Sequence, residues 1–296
     1  MKRMASFLAA SVLALSLHGC AASEPPAQVA ATTLPVYEFT SRLCGGTEIA
    51  VSRLVNESVS CLHDYALNVS QVKAVEAAEV VVISGAGLEE FMEDILADKP
   101  AIDASTGIAL LEPEEHHHDH EHEEDHEGHT HEEDPHIWLS PENAMAMARN
   151  ICDGLTAQYP QHAAVFESNL DALLAELEAL QAYGKTQLAS LSCRDLITFH
   201  DGFAYLADSY DLHILRAVEE ESGREASAAE LIELIEEVEH HDLPAIFTEA
   251  NGSVSAAGII ARETHIESYQ LDMVMSGDSY FDAMYHNIDT LKEALE

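Results

Sequence analysis

Short apolar, β-branched runs alternate with stretches of helical period along most of this chain, and the rhythm is the same in both halves. In the first half, residues 29–33 and 48–55 read as strands around a helix over 36–44, which Gly45-Gly46 closes. A short helix over 70–78 leads to EVVVIS at 79–84, the apolar, β-branched run of a buried strand. Gly85-Ala86-Gly87 then turns into a helix over 88–96. Without a third glycine and an acidic residue downstream, it reads as a tight strand-to-helix turn and not a phosphate cradle.

Residues 137–139 predict a short strand. Ser140-Pro141-Glu142 opens a helix to about residue 157, with Ser140 as N-cap and Pro141 at the first helical position. A long helix follows over 160–191, with Val165, Leu170, Leu173, Leu174, Leu177 and Leu180 at helical spacing. At 1.5 Å per residue it would span ~45 Å, more than one small domain needs, so it reads as a spine between two lobes, with Gly184 its weak point. Beyond it, 196–200 (LITFH), 213–217 (HILRA), 245–249 (AIFTE) and 268–272 (SYQLD) are the strand candidates. Helices over 202–210, 227–240 and 255–264 separate them, and 282–295 forms a last helix. The alternation predicts an α/β protein of two parallel-sheet lobes, 29–158 and 192–296, joined by a spine helix over 159–191.

One segment breaks the pattern. Residues 112–134 hold eight histidines (His116, His117, His118, His120, His122, His126, His129 and His131) and twelve carboxylates, with no Lys or Arg. Such a stretch buries too little apolar surface to fold, so a disordered loop is expected. Neutral imidazole is the commonest ligand for divalent transition metals, and carboxylates concentrate cations nearby. The bland alternative is a solvated acidic spacer, but the composition favours metal handling.

Formal net charge is −41, which argues against nucleic acid and against anionic lipid headgroups as partners, and for cations. Lys2 and Arg3 precede a mostly apolar run over residues 7–17, too short to span a bilayer of ~30 Å as a helix. Leu17-His18-Gly19-Cys20 resembles a bacterial lipobox, although His18 stands where a small residue is usual. The resemblance implies a cleaved leader (1–19), a lipid on the Cys20 thiol and a short tether (20–28), hence an extracytoplasmic, membrane-tethered lipoprotein. About 277 residues then remain.

Cys44, Cys61, Cys152 and Cys193 allow three disulfide connectivities. Cys44 with Cys61 is the pair closest in sequence, and closing a loop of that size would contribute ~3 kcal/mol. Cys152 and Cys193 should sit in opposite lobes, unpaired with each other and buried. No C-x-x-C occurs, so a thiolate zinc site is not expected.

Open parallel sheets bind ligands outside the carboxyl ends of their strands. His63, His136, His200 and Asp272 fall at or near such positions, spaced 73, 64 and 72 residues apart, two in each lobe. Three imidazoles and a carboxylate would make a closed tetrahedral zinc site in the cleft between lobes. A lone His at a strand end is more often structural, and Glu249, closing AIFTE in the same layer, rivals Asp272. Asp64 and Asp201 read as helix caps or as partners orienting the neighbouring imidazoles. His162, His213, His240, His241, His265 and His286 read as structural or solvated.

The stretches EEDPHIWLSPENA, FHDGFAYLADSY and GDSYFDAMYHNIDTLKEAL resemble the metal-binding solute-binding proteins of bacterial zinc and manganese ABC importers. The likeness covers essentially the whole chain after the leader, and the order of signals matches. It implies that His63, His136, His200 and Asp272 hold the metal, and a His at the third position together with a His-rich insertion resembles the zinc branch. Leu62 and Ala66 stand where that family usually has a proline and an acidic residue, and Met273-Val274 replaces its usual Pro-Leu. The resemblance implies a non-enzymatic zinc receptor, expected as a monomer, that delivers Zn²⁺ to a membrane permease with a cytoplasmic ATPase, the His-rich loop acting as an auxiliary collector. The alternatives are a manganese receptor, a surface metal buffer or adhesin, and an extracellular zinc hydrolase. Against the last, no H-E-x-x-H occurs, and a fourth protein ligand would close the site to water.

Overall fold

A computed structural model describes residues 27–57, 59, 62, 65–111, 133–218, 226–249 and 255–296. The two-lobe α/β reading holds: there are two four-stranded sheets with every pairing parallel. The first contains β1 (Val29–Ala31), β2 (Val51–Arg53), β3 (Val80–Ile83) and β4 (Ala101–Asp103) in the order β2-β1-β3-β4. The second contains β5 (Asp195–Thr198), β6 (His213–Ala217), β7 (Ala245–Glu249) and β8 (Glu267–Leu271) in the order β6-β5-β7-β8. In each, the chain reverses direction across its central pair, β1/β3 or β5/β7, and opens a crevice at their carboxyl ends.

The helices are α1 (Leu34–Leu43), α2 (Val69–Ala77), the short α3 (Glu93–Leu96), α4 (Pro141–Gln158), α5 (Ala163–Gln187), α6 (Ala204–Ser209), α7 (Ala228–His240), α8 (Ser255–Thr264) and α9 (Tyr280–Leu295). None of the described helices is long and apolar enough to cross a membrane. The spine is a 3₁₀ turn, Pro160–His162, running into α5; it ends at Gln187, short of 191. Gly184 is no weak point. It is buried against the Tyr210 ring, and a Cβ there would lie 2.4 Å from ring atoms.

Three expectations are corrected. Residues 137–139 form a buried 3₁₀ turn and not a strand, because Leu139 and Ser140 donate back to the carbonyls of His136 and Ile137, and the chain enters α4 with no room to pair. The helix expected over 202–210 begins only at Ala204 with Phe203 as N-cap, so Asp201 is not its cap. The helix expected over 88–96 is a 3₁₀ turn, Glu90–Met92, followed by α3. Its entry is fixed by the Gly85 turn (φ +82), where a Cβ would collide with the Asp103 carboxylate. Glu89, wholly buried, accepts from the backbone N–H groups of Ser84 and Gly85 and from Thr32 Oγ1. Strand β4 was not anticipated: of its three residues only Ile102 is buried.

Ser140 caps α4 as expected, accepting from Asn143 N. Cys44, Cys152 and Cys193 are free thiols, the first two buried and the third half-buried. Burial pushes the Cys44 thiol up to about 12. Cys61 lies outside the described residues. One large apolar cluster runs through both lobes and the helices between them, taking in Leu34, Trp138, Leu177, Phe203 and Tyr280. Two smaller clusters cover the outer faces of the sheets.

Candidate metal centre

Of the residues expected at the site, His136, His200, Glu249 and Asp272 are described. His63, Asp64 and the eight loop histidines lie outside the described residues, as does Cys20. Glu249 ends β7, His200 follows β5 by two residues, and Asp272 follows β8 by one. The registers Thr198 with Phe247 and Glu249 with Leu271 set these three at the same level of adjacent strands. This is the crevice at the carboxyl end of β5/β7.

His136 and His200 are both 3% exposed, and their rings meet edge to face with centroids 5.5 Å apart. Asp134 Oδ1 accepts from both the backbone N–H and the ring Nδ1 of His136, each at 2.8 Å. A carboxylate can only accept, so Nδ1 carries the proton and the Nε2 lone pair is presented elsewhere. This is the arrangement that orients a ligating imidazole and fixes its tautomer. Around His200 a second carboxylate takes a similar place, with Glu249 Oε2 3.7 Å from Nδ1, longer than a direct hydrogen bond.

Gly202 lies against both rings. A Cβ there would stand 2.9 Å from His200 Cδ2, 3.1 Å from His136 Cε1 and 2.6 Å from Met273 Cε. Only a hydrogen fits, which lets the two imidazoles and the 272–275 segment approach. That segment is tied to the first lobe: Trp138 Nε1 donates to Met273 O, and Leu34 N to Met275 O. Asn287, fully buried, accepts from Asp272 N and donates to Asp272 O. One Asp272 carboxylate oxygen accepts from Val274 N at 2.6 Å, holding Val274 at φ +59, an unusual backbone for a β-branched residue.

Among the described residues no three His, Cys, Asp or Glu side chains form a group that could hold a metal ion as they stand. What the structure gathers is the buried imidazole pair, with one carboxylate behind each ring. On the opposite rim of the second lobe, His213 and His241 approach the two oxygens of Asp195 at 3.3 and 3.9 Å, ion-pair geometry at a surface. Asp134, Gly202 and Asn287 are site residues that sequence reasoning missed. Asp134, two residues before His136 in DPHIW, carried the nearest signal.

Two parallel-sheet lobes on a helical spine, with buried imidazoles at the crevice between them, define a solute-binding protein for a metal ion. The chain matches the family described as zinc-uptake complex component A, periplasmic, over residues 29–294, and it belongs to that family. It is 32% identical over 308 aligned positions to the zinc-binding lipoprotein AdcA of Streptococcus pneumoniae, covering 98% of this chain and 61% of that relative's length. The crystal structure of ZnuA superposes with a TM-score of 0.77 at 30% identity, over 91% of this chain and all of that one. The Zn(II)-bound ZnuA-like domain of the pneumococcal AdcA gives 0.75 at 28%, over 90% and 98%. The chain thus spans about three fifths of the pneumococcal lipoprotein but nearly all of its ZnuA-like domain. These are binding proteins and not enzymes.

Proposed function

We propose that this chain is an extracytoplasmic zinc receptor that binds one Zn²⁺ in the cleft and passes it to an ABC-type permease driven by a cytoplasmic ATPase. The observation that carries this reading is the buried His136–His200 pair, with the His136 Nδ1 proton fixed on Asp134. Imidazole-rich sites favour zinc over manganese by softness and by the general affinity order. His63, His136 and His200 supply three ligands. Glu249 sits on the Nδ1 side of His200, where a carboxylate orients the ring, so the fourth place goes to the Asp272 oxygen not engaged by Val274. The Zn(II)-bound state of the pneumococcal domain supports the choice of cargo.

In this reading residues 1–19 are a cleaved leader, and Cys20 carries a lipid that tethers a monomer through residues 20–28. The His-rich loop over 112–134 collects zinc weakly beside His136. Calorimetric titration separates loop from cleft. Deleting residues 115–133 should remove several weak equivalents and leave one tight ion, because a stretch with so few apolar residues meets an ordering cost that a preformed cleft avoids. His200→Ala should weaken the tight ion greatly and spare the weak ones. The reverse result would make the loop the principal site. Asp272→Asn weakening binding no more than Glu249→Gln would return the fourth place to Glu249.

A further inference from the structure

The described residues on either side of the 112–132 segment, Leu111 and Asp134, are tied together. Asp134 N donates to Leu111 O at 3.3 Å, closing the base of the loop. From the second lobe, Tyr205 on α6 reaches the same point with its hydroxyl, which accepts from Leu111 N and donates to Asp134 O, both at 2.9 Å. One oxygen thus holds the residue that leaves the first lobe and the residue that returns to it. Tyr205 is 3% exposed, and burial pushes its hydroxyl up to about 12, so it stays a donor throughout the physiological range. Asp134 in turn accepts with a single carboxylate oxygen from the backbone N–H and the ring Nδ1 of His136. The contacts form a chain: Leu111 to Tyr205, Tyr205 to the Asp134 backbone, Asp134 carboxylate to His136.

We infer that Tyr205 is a positioning residue for zinc binding: its hydroxyl locks the base of the His-rich loop across the two lobes and thereby sets the Asp134 carboxylate that orients His136. The placement is economical because the same peptide unit, Asp134, carries both the tie and the orienting carboxylate. A shift of that backbone moves the oxygen that fixes the His136 ring. A partner fixing a ligand's orientation is worth 10–100-fold in metal affinity in general, and a residue acting one step further out should sit at the low end. The inference rests on His136 being a ligand, which His136→Ala tests separately.

The experiment is a double-mutant cycle on the full chain, with zinc affinity measured by chelator competition. Tyr205→Phe keeps the ring in its pocket and removes both hydrogen bonds. It should weaken zinc by on the order of tenfold in the wild-type background and by less than about twofold in the Asp134→Ala background, where nothing remains to transmit the position. In the zinc-free protein, ring ¹⁵N shifts should report His136 protonated at Nδ1 in the wild type and a mixture of tautomers in Tyr205→Phe. That readout does not move if the tyrosine merely adds stability. Leu111→Pro removes the loop-side N–H while leaving Tyr205 and Asp134 intact and should shift affinity in the same direction by less. Should Tyr205→Phe fold poorly, this variant carries the test. Equal effects of Tyr205→Phe with and without Asp134, or an unchanged affinity and tautomer, would overturn the inference. His136→Ala leaving tight binding intact would instead remove the ligand reading beneath it.

Discussion

A carboxyl group buried as completely as that of Glu89 has two conflicting demands. Loss of hydration opposes its charge, while three donors, from Thr32, Ser84 and Gly85, favour it. Burial wins, and the group is raised from 4.5 to about 7. A folded-state value above the unfolded one means that the folded protein holds the extra proton between about pH 4.5 and 7. The associated stability is therefore complete below 4.5 and is lost as pH rises through 7. The gap corresponds to on the order of 3 kcal/mol. Denaturant unfolding at pH 5 and pH 8 should show the wild type less stable at the higher pH through this group, and Glu89→Gln should remove most of that difference. A slope unchanged by the substitution would place the titration elsewhere. Nothing in GLEEF marks the first glutamate as buried and the second as exposed, because the distinction is made by Thr32, 57 residues away.

At the scale of the element, helix propensity and packing disagree at Gly184. In an isolated helix Gly→Ala gains up to ~1 kcal/mol. Here a Cβ would meet the buried Tyr210 ring at 2.4 Å, and overpacking of that kind costs ~1–3 kcal/mol. Gly184→Ala should therefore lower thermal stability by a few degrees, whereas propensity alone would raise it. The same opposition explains what was legible in the sequence. Strands β3, β5 and β7 are apolar runs whose neighbours on both faces are fixed by periodicity, and helix α4 begins at its expected serine cap, whereas α9 starts at Tyr280 behind Ser279, two residues before the expected 282. Strand β4 carries too little pattern, and residues 137–139 have strand-like composition but a tertiary role, with Tyr280 OH donating to Trp138 O. The positions of His200, Glu249 and Asp272 at strand ends could be read because strand ends are local, whereas His136 precedes a 3₁₀ turn and not a strand. Asp134's double contact, the Gly202 floor and Asn287's grip on Asp272 depend on residues that periodicity does not connect.

For the whole molecule, the acidic sequence and the two-sheet architecture serve different ends: the charge concentrates cations around the protein, and the sheets set a few side chains at one crevice. What joins the lobes is more than the spine. The main apolar cluster takes Leu34 and Trp138 from one side, Phe203 and Tyr280 from the other, and Leu173, Leu177 and Leu180 from the helix between them, all essentially excluded from water. Neither lobe can lose its structure without exposing the interior of the other. The two lobes should then melt as one cooperative unit. Scanning calorimetry of the metal-free protein should give a single endotherm whose calorimetric and van't Hoff enthalpies agree, where two independently folding lobes would give two.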